Sequence, residues 1–166
     1  MKLLIRPVEP DDAAGIVAVF NPIIESGLYT TFDTPFSVEA ERAYILSLTD
    51  RDIFHVAVGL SDQTVVGFQS MSPLPAYSQA LAHVGVLGTF IDLACRRQGI
   101  ARQLFAATFA VAKTKGYEKL FTYVRADNPA ALAAYQGQGF RIVGTAQRHA
   151  KIGGQYIDEI IIEKLL

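Results

Sequence analysis

Apolar positions recur along this chain in two rhythms, one of period two and one close to period 3.6. Leu3, Leu4 and Ile5 make a short apolar run closed by Arg6-Pro7, which predicts a first strand. Pro10, Asp11 and Asp12 open a helix whose acidic first turn complements the helix dipole. Ala13, Ile16, Val17, Phe20, Ile23 and Ile24 continue it at helical spacing, with a break or kink expected at Pro22. Residues 26–35 read as a loop rich in Thr and aromatics. Ser37 is placed as the N-cap of a second helix carrying Ala40, Tyr44, Ile45 and Leu48 on one face.

The period then changes. Residues 53–59 alternate, with Phe54, Val56 and Val58 on one side, and residues 65–71 return as the second arm of a hairpin. Residues 73–79 read as a loop. Residues 82–93 are long for a strand, and Gly85 and Gly88 inside them predict a bulge or a close backbone approach. A helix follows from Gly99, with Ile100, Leu104, Ala107, Thr108, Val111 and Ala112 on one face and Gly116 as its stop. Residues 120–125 form a short strand. Asn128-Pro129 opens a last helix, with Asn as N-cap and Pro at the first helical position. Residues 140–147 and 155–164 are two strands joined around Gly153-Gly154. This order of elements implies one domain over residues 1–166, of mixed α/β (α+β) class with helices packed on a mixed sheet.

Composition narrows the function classes. The chain has 166 residues, 51% apolar and 19% charged, which suits a single domain with a sizeable core. A net charge of −1 gives no global pull toward nucleic acid or an anionic membrane. The single Cys95 excludes an internal disulfide framework and suits a reducing cytoplasm. The apolar run at Leu3 is too short for a signal peptide or a membrane span. Three scattered histidines and one cysteine have no metal-ligand spacing, so no metal is expected. The apolar surplus is compatible with a homodimer.

The turn Arg96-Arg97-Gln98-Gly99-Ile100-Ala101-Arg102 carries the strongest chemical signal. It links an apolar strand to an amphipathic helix and so presents free backbone N–H groups at a positive dipole end, the ingredients of a phosphate site. Gly99 lacks a Cβ, which lets an anion approach the main chain, and Arg97 and Arg102 add charge at the rim. The spacing is neither Gly-x-x-x-x-Gly-Lys-Ser/Thr nor Gly-x-Gly-x-x-Gly. Taken alone, the turn is equally well read as the start of a helix with solvated arginines.

Arg96-Arg97-Gln98-Gly99-Ile100-Ala101 resembles the acyl-CoA signature Gln/Arg-x-x-Gly-x-Gly/Ala of the GNAT acetyltransferase superfamily. Asn128-Pro129-Ala130-Ala131-Leu132-Ala133-Ala134-Tyr135, followed by Gly139-Phe140, resembles that family's Asn-x-x-Ala-x-x-x-Tyr-x-x-x-Gly-Phe. Ile5-Arg6-Pro7 resembles that family's first strand, and Phe20-Asn21-Pro22 through Thr31-Phe32-Asp33 and Pro35, with Gly144 and Gly153-Gly154-x-Tyr156-x-Asp158, is similar to the phosphinothricin-type amino-acid acetyltransferases. The resemblance implies a sheet of roughly six or seven strands splayed at its centre, with about four helices. It implies that Thr89, Phe90 and Ile91 pair through their main chain with the pantetheine arm of acetyl-CoA. It implies that the stretch from Arg96 through Arg97, Gln98, Gly99, Ile100 and Ala101 to Arg102 holds the pyrophosphate. It implies that Asn128 bonds the cosubstrate and that Tyr135 protonates the leaving thiolate. Each has a plainer reading as well: Asn128 as an N-cap, Tyr135 as core.

The expected activity is transfer of acetyl from acetyl-CoA to a primary amine of a small molecule, an amino acid or analogue. The alternatives are acetylation of a protein N-terminus or lysine, and an acyl-CoA-binding module without chemistry. The likeness fails at one point. Phosphinothricin-type enzymes carry a Glu on the strand before the turn, where this chain has about Val86. His83 and Glu25 are the substitute bases considered, beside a water chain with no single base. Glu25, Tyr29, Phe32 and His83 are the expected substrate-side residues, with residues 73–79 as a further wall. Cys95 is read as a small hydrophobe rather than a nucleophile.

Overall fold

The computed structural model describes residues 2–74 and 78–166. The chain order is β1 (Leu3–Pro7), a 3-10 turn at Pro10–Asp12, α1 (Ala13–Glu25), α2 (Val38–Ser47), β2 (Ile53–Gly59), β3 (Val65–Pro73) and β4 (Val84–Ile91). A 3-10 turn at Gln79–Leu81 precedes β4, and another at Leu93–Cys95 leads to α3 (Ile100–Thr114), then β5 (Lys119–Arg125), α4 (Pro129–Gln136), β6 (Arg141–Ile152) and β7 (Gln155–Leu165). The strands form one seven-stranded sheet in the order β1-β2-β3-β4-β5-β7-β6. Among the described residues, only β4 and β5 pair in parallel.

Helices cover the sheet on both faces. Phe54, Val56 and Val58 of β2 pack with Ile16, Phe20, Ile23 and Ile24 of α1. On the other face of β2, Ala57 packs with Ile100 and Leu104 of α3, and His55 bonds Thr108 of α3 at 3.0 Å. The alternation expected for β2 is therefore present, yet every residue of the strand is buried. Burial holds the His55 imidazole below its ordinary pKa, in its neutral form.

One expectation is corrected and another is narrowed to one of its alternatives. The first helix does not break at Pro22 but continues to Glu25. Pro22 and Ala18 are both exposed, so the carbonyl that the proline leaves without a donor faces water. The pairing of β3 with β4 has no bulge at Gly85 or Gly88. Gly85 bears out the other alternative, a close approach, since a Cβ there would lie 2.8 Å from Met71 Cε. Of the expected 73–79 loop, residues 75–77 lie outside the described residues.

The entrance to α1 is held by an ion pair. Arg6 donates to both Asp12 oxygens, at 2.7 and 2.8 Å, and the Glu9 N–H donates to Asp12 at 2.8 Å. Burial works against the Asp12 charge, but the Arg6 and Glu9 bonds outweigh it and hold the carboxyl below the usual range. A depressed pKa contributes stability that is present above the unfolded value and lost as pH falls through the folded one. Asp12→Ala is expected to cost about 2 kcal/mol in urea unfolding near neutral pH. The gap from the parent protein should narrow as pH drops below about 4.

Candidate active site

The parallel pairing of β4 with β5 covers only Val84, Gly85 and Val86. Beyond Val86 the two strands part. β4 stays paired with β3 as far as Ile91, and β5 pairs with β7 along its whole length. The Thr122 hydroxyl donates to the Leu87 carbonyl at 2.7 Å at the fork. From there Gly88, Thr89, Phe90 and Ile91 show one main-chain edge without a strand beside it. An open edge in mid-sheet is a place for an extended ligand to add.

At the end of β4 the chain makes a compact turn. The Asp92 carboxylate accepts from Ala94 N–H at 2.7 Å. Arg97 and Gly99 take left-handed φ values of 65° and 76°, and Gly99 is the N-cap of α3. A Cβ on Gly99 would meet no protein atom within 4 Å, so the glycine serves backbone conformation, and the space beside it is open. The first-turn N–H groups of α3 have no partner within the helix, which is general for helix starts. The Arg96 guanidinium lies 3.9 Å from the centre of the Tyr29 ring. A cleft of about 280 Å³ runs here, lined by Thr89, Phe90, Ile91, Arg96, Arg97, Gly99, Ala101, Asn128 and Tyr135 among others.

Tyr135 closes the inner end. It is buried among Phe105 and Phe140, and its hydroxyl lies 3.2 Å from Thr89 Oγ1. Thr89 Oγ1 also accepts from Gln69 Nε2 at 2.7 Å. Gln69 is fully buried, and its Oε1 has no partner among the described residues. Desolvation pushes the Tyr135 phenol up to about 12, against the opposing Thr89 bonds. It is therefore protonated at neutral pH. The Cys95 thiol is also raised, by burial and by Asp92 and Asp62, so it is a poor nucleophile.

A larger cavity of about 850 Å³ meets the cleft at Tyr29, Thr89, Phe90, Asn128 and Tyr135. Six phenylalanines wall it: Phe20, Phe32, Phe36, Phe54, Phe68 and Phe90. The charged side chains lining it among the described residues are Glu41, Arg125, His149 and Glu159. Arg125 donates to both Asp127 oxygens and to the carbonyls of Gly27 and Thr30. It thus ties the loop after α1 to β5.

The expected residues divide accordingly. Tyr29 and Phe32 line the larger cavity, although Phe32 is half exposed. Gln98 and Arg102 are exposed and line neither space, while the Ile100 side chain is core against Leu104. Asn128 accepts from Ala131 N–H at 3.2 Å as the N-cap of α4, and its amide donates to the Tyr29 carbonyl at 3.4 Å. Glu25 is exposed at the end of α1 and lines neither cavity. His83 precedes β4 at the end where β4 and β5 are still joined, away from the fork. Gln69, Glu41 and Glu159 were missed. Glu41 and Ile45 are four apart on one face of α2, and both are buried, so spacing carried a signal for Glu41. Glu159 follows Ile157 two places on along β7, on the same buried face. Gln69 has no sequence signal beyond its place in an apolar strand.

The model of the acetyltransferase (GNAT) family matches residues 24–140. The chain belongs to the GNAT acetyltransferase family. Among GNAT relatives, the phosphinothricin N-acetyltransferase of Streptomyces coelicolor is 24% identical over 168 residues, covering 98% of this chain and 95% of that protein. The structure of the GNAT-family acetyltransferase from Streptococcus pneumoniae matches with a TM-score of 0.87 at 27% identity, covering 99% of this chain and 100% of that one. A GNAT superfamily phosphinothricin acetyltransferase from Sinorhizobium meliloti, solved in complex with AcCoA, shares the fold with a TM-score of 0.90 at 17% identity, over 100% of this chain and 89% of that one. The seven-stranded sheet with four helices is thus the GNAT fold.

Arg125→Met leaves two carbonyls of the Gly27–Thr30 segment without their donor. Such a loss costs about 2 kcal/mol. Limited proteolysis is expected to cut this loop faster in the variant, and the thermal midpoint to fall by several degrees.

Proposed function

We propose that this GNAT enzyme moves acetyl from acetyl-CoA to the primary amine of a small molecule by direct transfer, within one domain spanning residues 1–166. The observation that carries this reading is the open edge of β4, which runs from the fork at Leu87 to the turn that starts α3, with Tyr135 at its inner wall. The pantetheine arm adds along Thr89, Phe90 and Ile91. The pyrophosphate sits at the turn, on main-chain N–H groups from Arg97 to Arg102, with Arg96 beside it. Asn128, whose amide is held only by the long bond to Tyr29, keeps a donor for the cosubstrate. The larger cavity beyond Tyr135 takes the amine.

In the reaction a neutral amine nitrogen attacks the thioester carbon. The C–N bond forms and the C–S bond breaks. The amine gives up one proton and the departing sulfur gains one. Tyr135 donates to the sulfur, and water in the cleft returns the amine's proton to the phenol, so protons balance. A phenol held near 12 always has its proton to give. Complete transfer to a thiolate of ordinary pKa is uphill by about 3.5 units, or about 5 kcal/mol. Donation to the sulfur and return of the proton through water are therefore coupled rather than successive. Main-chain N–H groups near Ile91 stabilise the oxyanion. The same reading includes a cytoplasmic location, suited to the free Cys95, and a homodimer through the β6 edge, where Ile142 and Val143 are exposed.

Tyr135→Phe is expected to lower kcat about a hundredfold while the acetyl-CoA Kd stays within about twofold. Equal losses in turnover and cosubstrate binding would remove the acid role. Gly99→Val places a β-branched residue at φ 76° and fills the space beside the turn. Calorimetric titration with CoA should give a Kd at least about tenfold weaker. Unchanged affinity in a folded variant would defeat the phosphate assignment.

A further inference from the structure

The larger cavity has a chemical character of its own. Phe20 stands at the centre of its phenylalanine wall, with ring centroids 5.2 Å from Phe32, 5.7 Å from Phe36, 5.4 Å from Phe68 and 4.4 Å from Phe90. Phe54 extends the wall 5.6 Å from Phe68. These rings come from α1, the loop after it, β2, β3 and β4. The wall suits a flat apolar body, and its ring faces attract cations.

The charges point the same way. Arg125 has its negative partner in Asp127 at 2.7 Å, and the rest of its guanidinium serves two carbonyls. His149 lies 3.8 Å from Glu159 and stacks on Tyr123. Glu41 is over nine-tenths buried, and its carboxylate has no hydrogen-bond or ion-pair partner among the described residues. Burial pushes both the Glu41 and Glu159 carboxyls up, which a cationic guest would reverse. No cation lining this cavity among the described residues lacks an acidic neighbour. An acidic guest would enter a space whose unmatched charges are negative.

We propose that the acceptor is a primary amine on an aromatic or apolar body, held by the phenylalanine wall and drawn in by Glu41 as its ammonium form, that it gives its ammonium proton to water in the cavity before the neutral nitrogen attacks, and that acidic amino acids such as phosphinothricin are disfavoured. This rests on the acetyltransferase reading above. The test measures thiol release from acetyl-CoA with phenethylamine, tyramine, ethylamine, glutamate and phosphinothricin, alongside calorimetric binding of acetyl-CoA. Phenethylamine should exceed phosphinothricin in kcat/KM at least about tenfold. Glu41→Gln, with its fold checked by thermal midpoint, should raise the KM for phenethylamine about tenfold and leave acetyl-CoA binding unchanged. Phe32→Ala, at a half-exposed position, should raise the KM for phenethylamine and not that for ethylamine. A preference for phosphinothricin or glutamate overturns the substrate class and leaves the acetyltransferase reading standing. An unchanged phenethylamine KM in Glu41→Gln overturns the part given to Glu41. Acetyl-CoA binding without transfer to any of these amines overturns the acetyltransferase reading and the substrate class with it.

Discussion

The parting of β4 from β5 after Val86 is the constraint on which the rest of the molecule depends. Main-chain groups in the middle of a sheet require partners, and a gap there is costly unless each flanking strand is held from its other side. Both are. β4 keeps an unbroken ladder with β3, and β5 keeps one with β7. Thr122 ties off the last carbonyl before the gap. The fork is therefore a stable feature rather than a frayed edge, and both cavities open from it.

The polar groups beside the fork form a directed chain. Gln69, at the floor, gives an N–H to Thr89 Oγ1. Thr89 then has its own proton to give to the Tyr135 oxygen. With that lone pair occupied, the phenolic proton is left for a partner in the cleft. The arrangement carries an expense in Gln69 Oε1, a fully buried acceptor with no donor, of about 1–3 kcal/mol. A leucine in the same place would avoid that penalty but would leave Thr89 free to rotate. The orphaned oxygen is best understood as the cost of fixing Thr89, which sits on the open edge and touches Tyr135 at once.

Much of this was legible in the sequence because it is local. The N-caps at Ser37 and Asn128 are single-residue signals, and both side chains accept from the expected N–H groups. The turn at Arg96–Arg102 is continuous, and its left-handed glycine lies where the pattern put it. The failures have physical reasons too. Pro22 breaks a helix only when the carbonyl it orphans has nowhere to turn, and exposure cannot be read from the residue itself. The close approach expected at Gly85 or Gly88 is present at Gly85, but a glycine marks a bulge and a close approach alike, so the pattern could not choose between them. The loss of one neighbouring strand beyond Val86 is a further feature, which no residue in β4 announces. His83 was considered as a substitute base, yet it sits at the joined end of the pair and lines neither cavity.

The donor side and the acceptor side differ in how they are encoded. Recognition of a pyrophosphate uses main-chain N–H groups, which require only a glycine and a helix start in series. The larger cavity, to which the proposed reading assigns the amine, is lined by side chains brought from α1, α2, the loop between them, β2, β3, β4 and β7. Each of those residues, alone, reads as ordinary core or surface. Glu41 on a half-apolar helix has meaning only once the sheet places phenylalanines opposite it, and Glu159 only once the β6–β7 hairpin returns it to β5 beside Arg125. The absence of a carboxylate at Val86 therefore does not leave the larger cavity without acid groups. They stand on α2 and β7, as Glu41 and Glu159, rather than on β4. In the proposed reading they act on the charge of whatever enters, while the open edge of β4 remains free for the thioester.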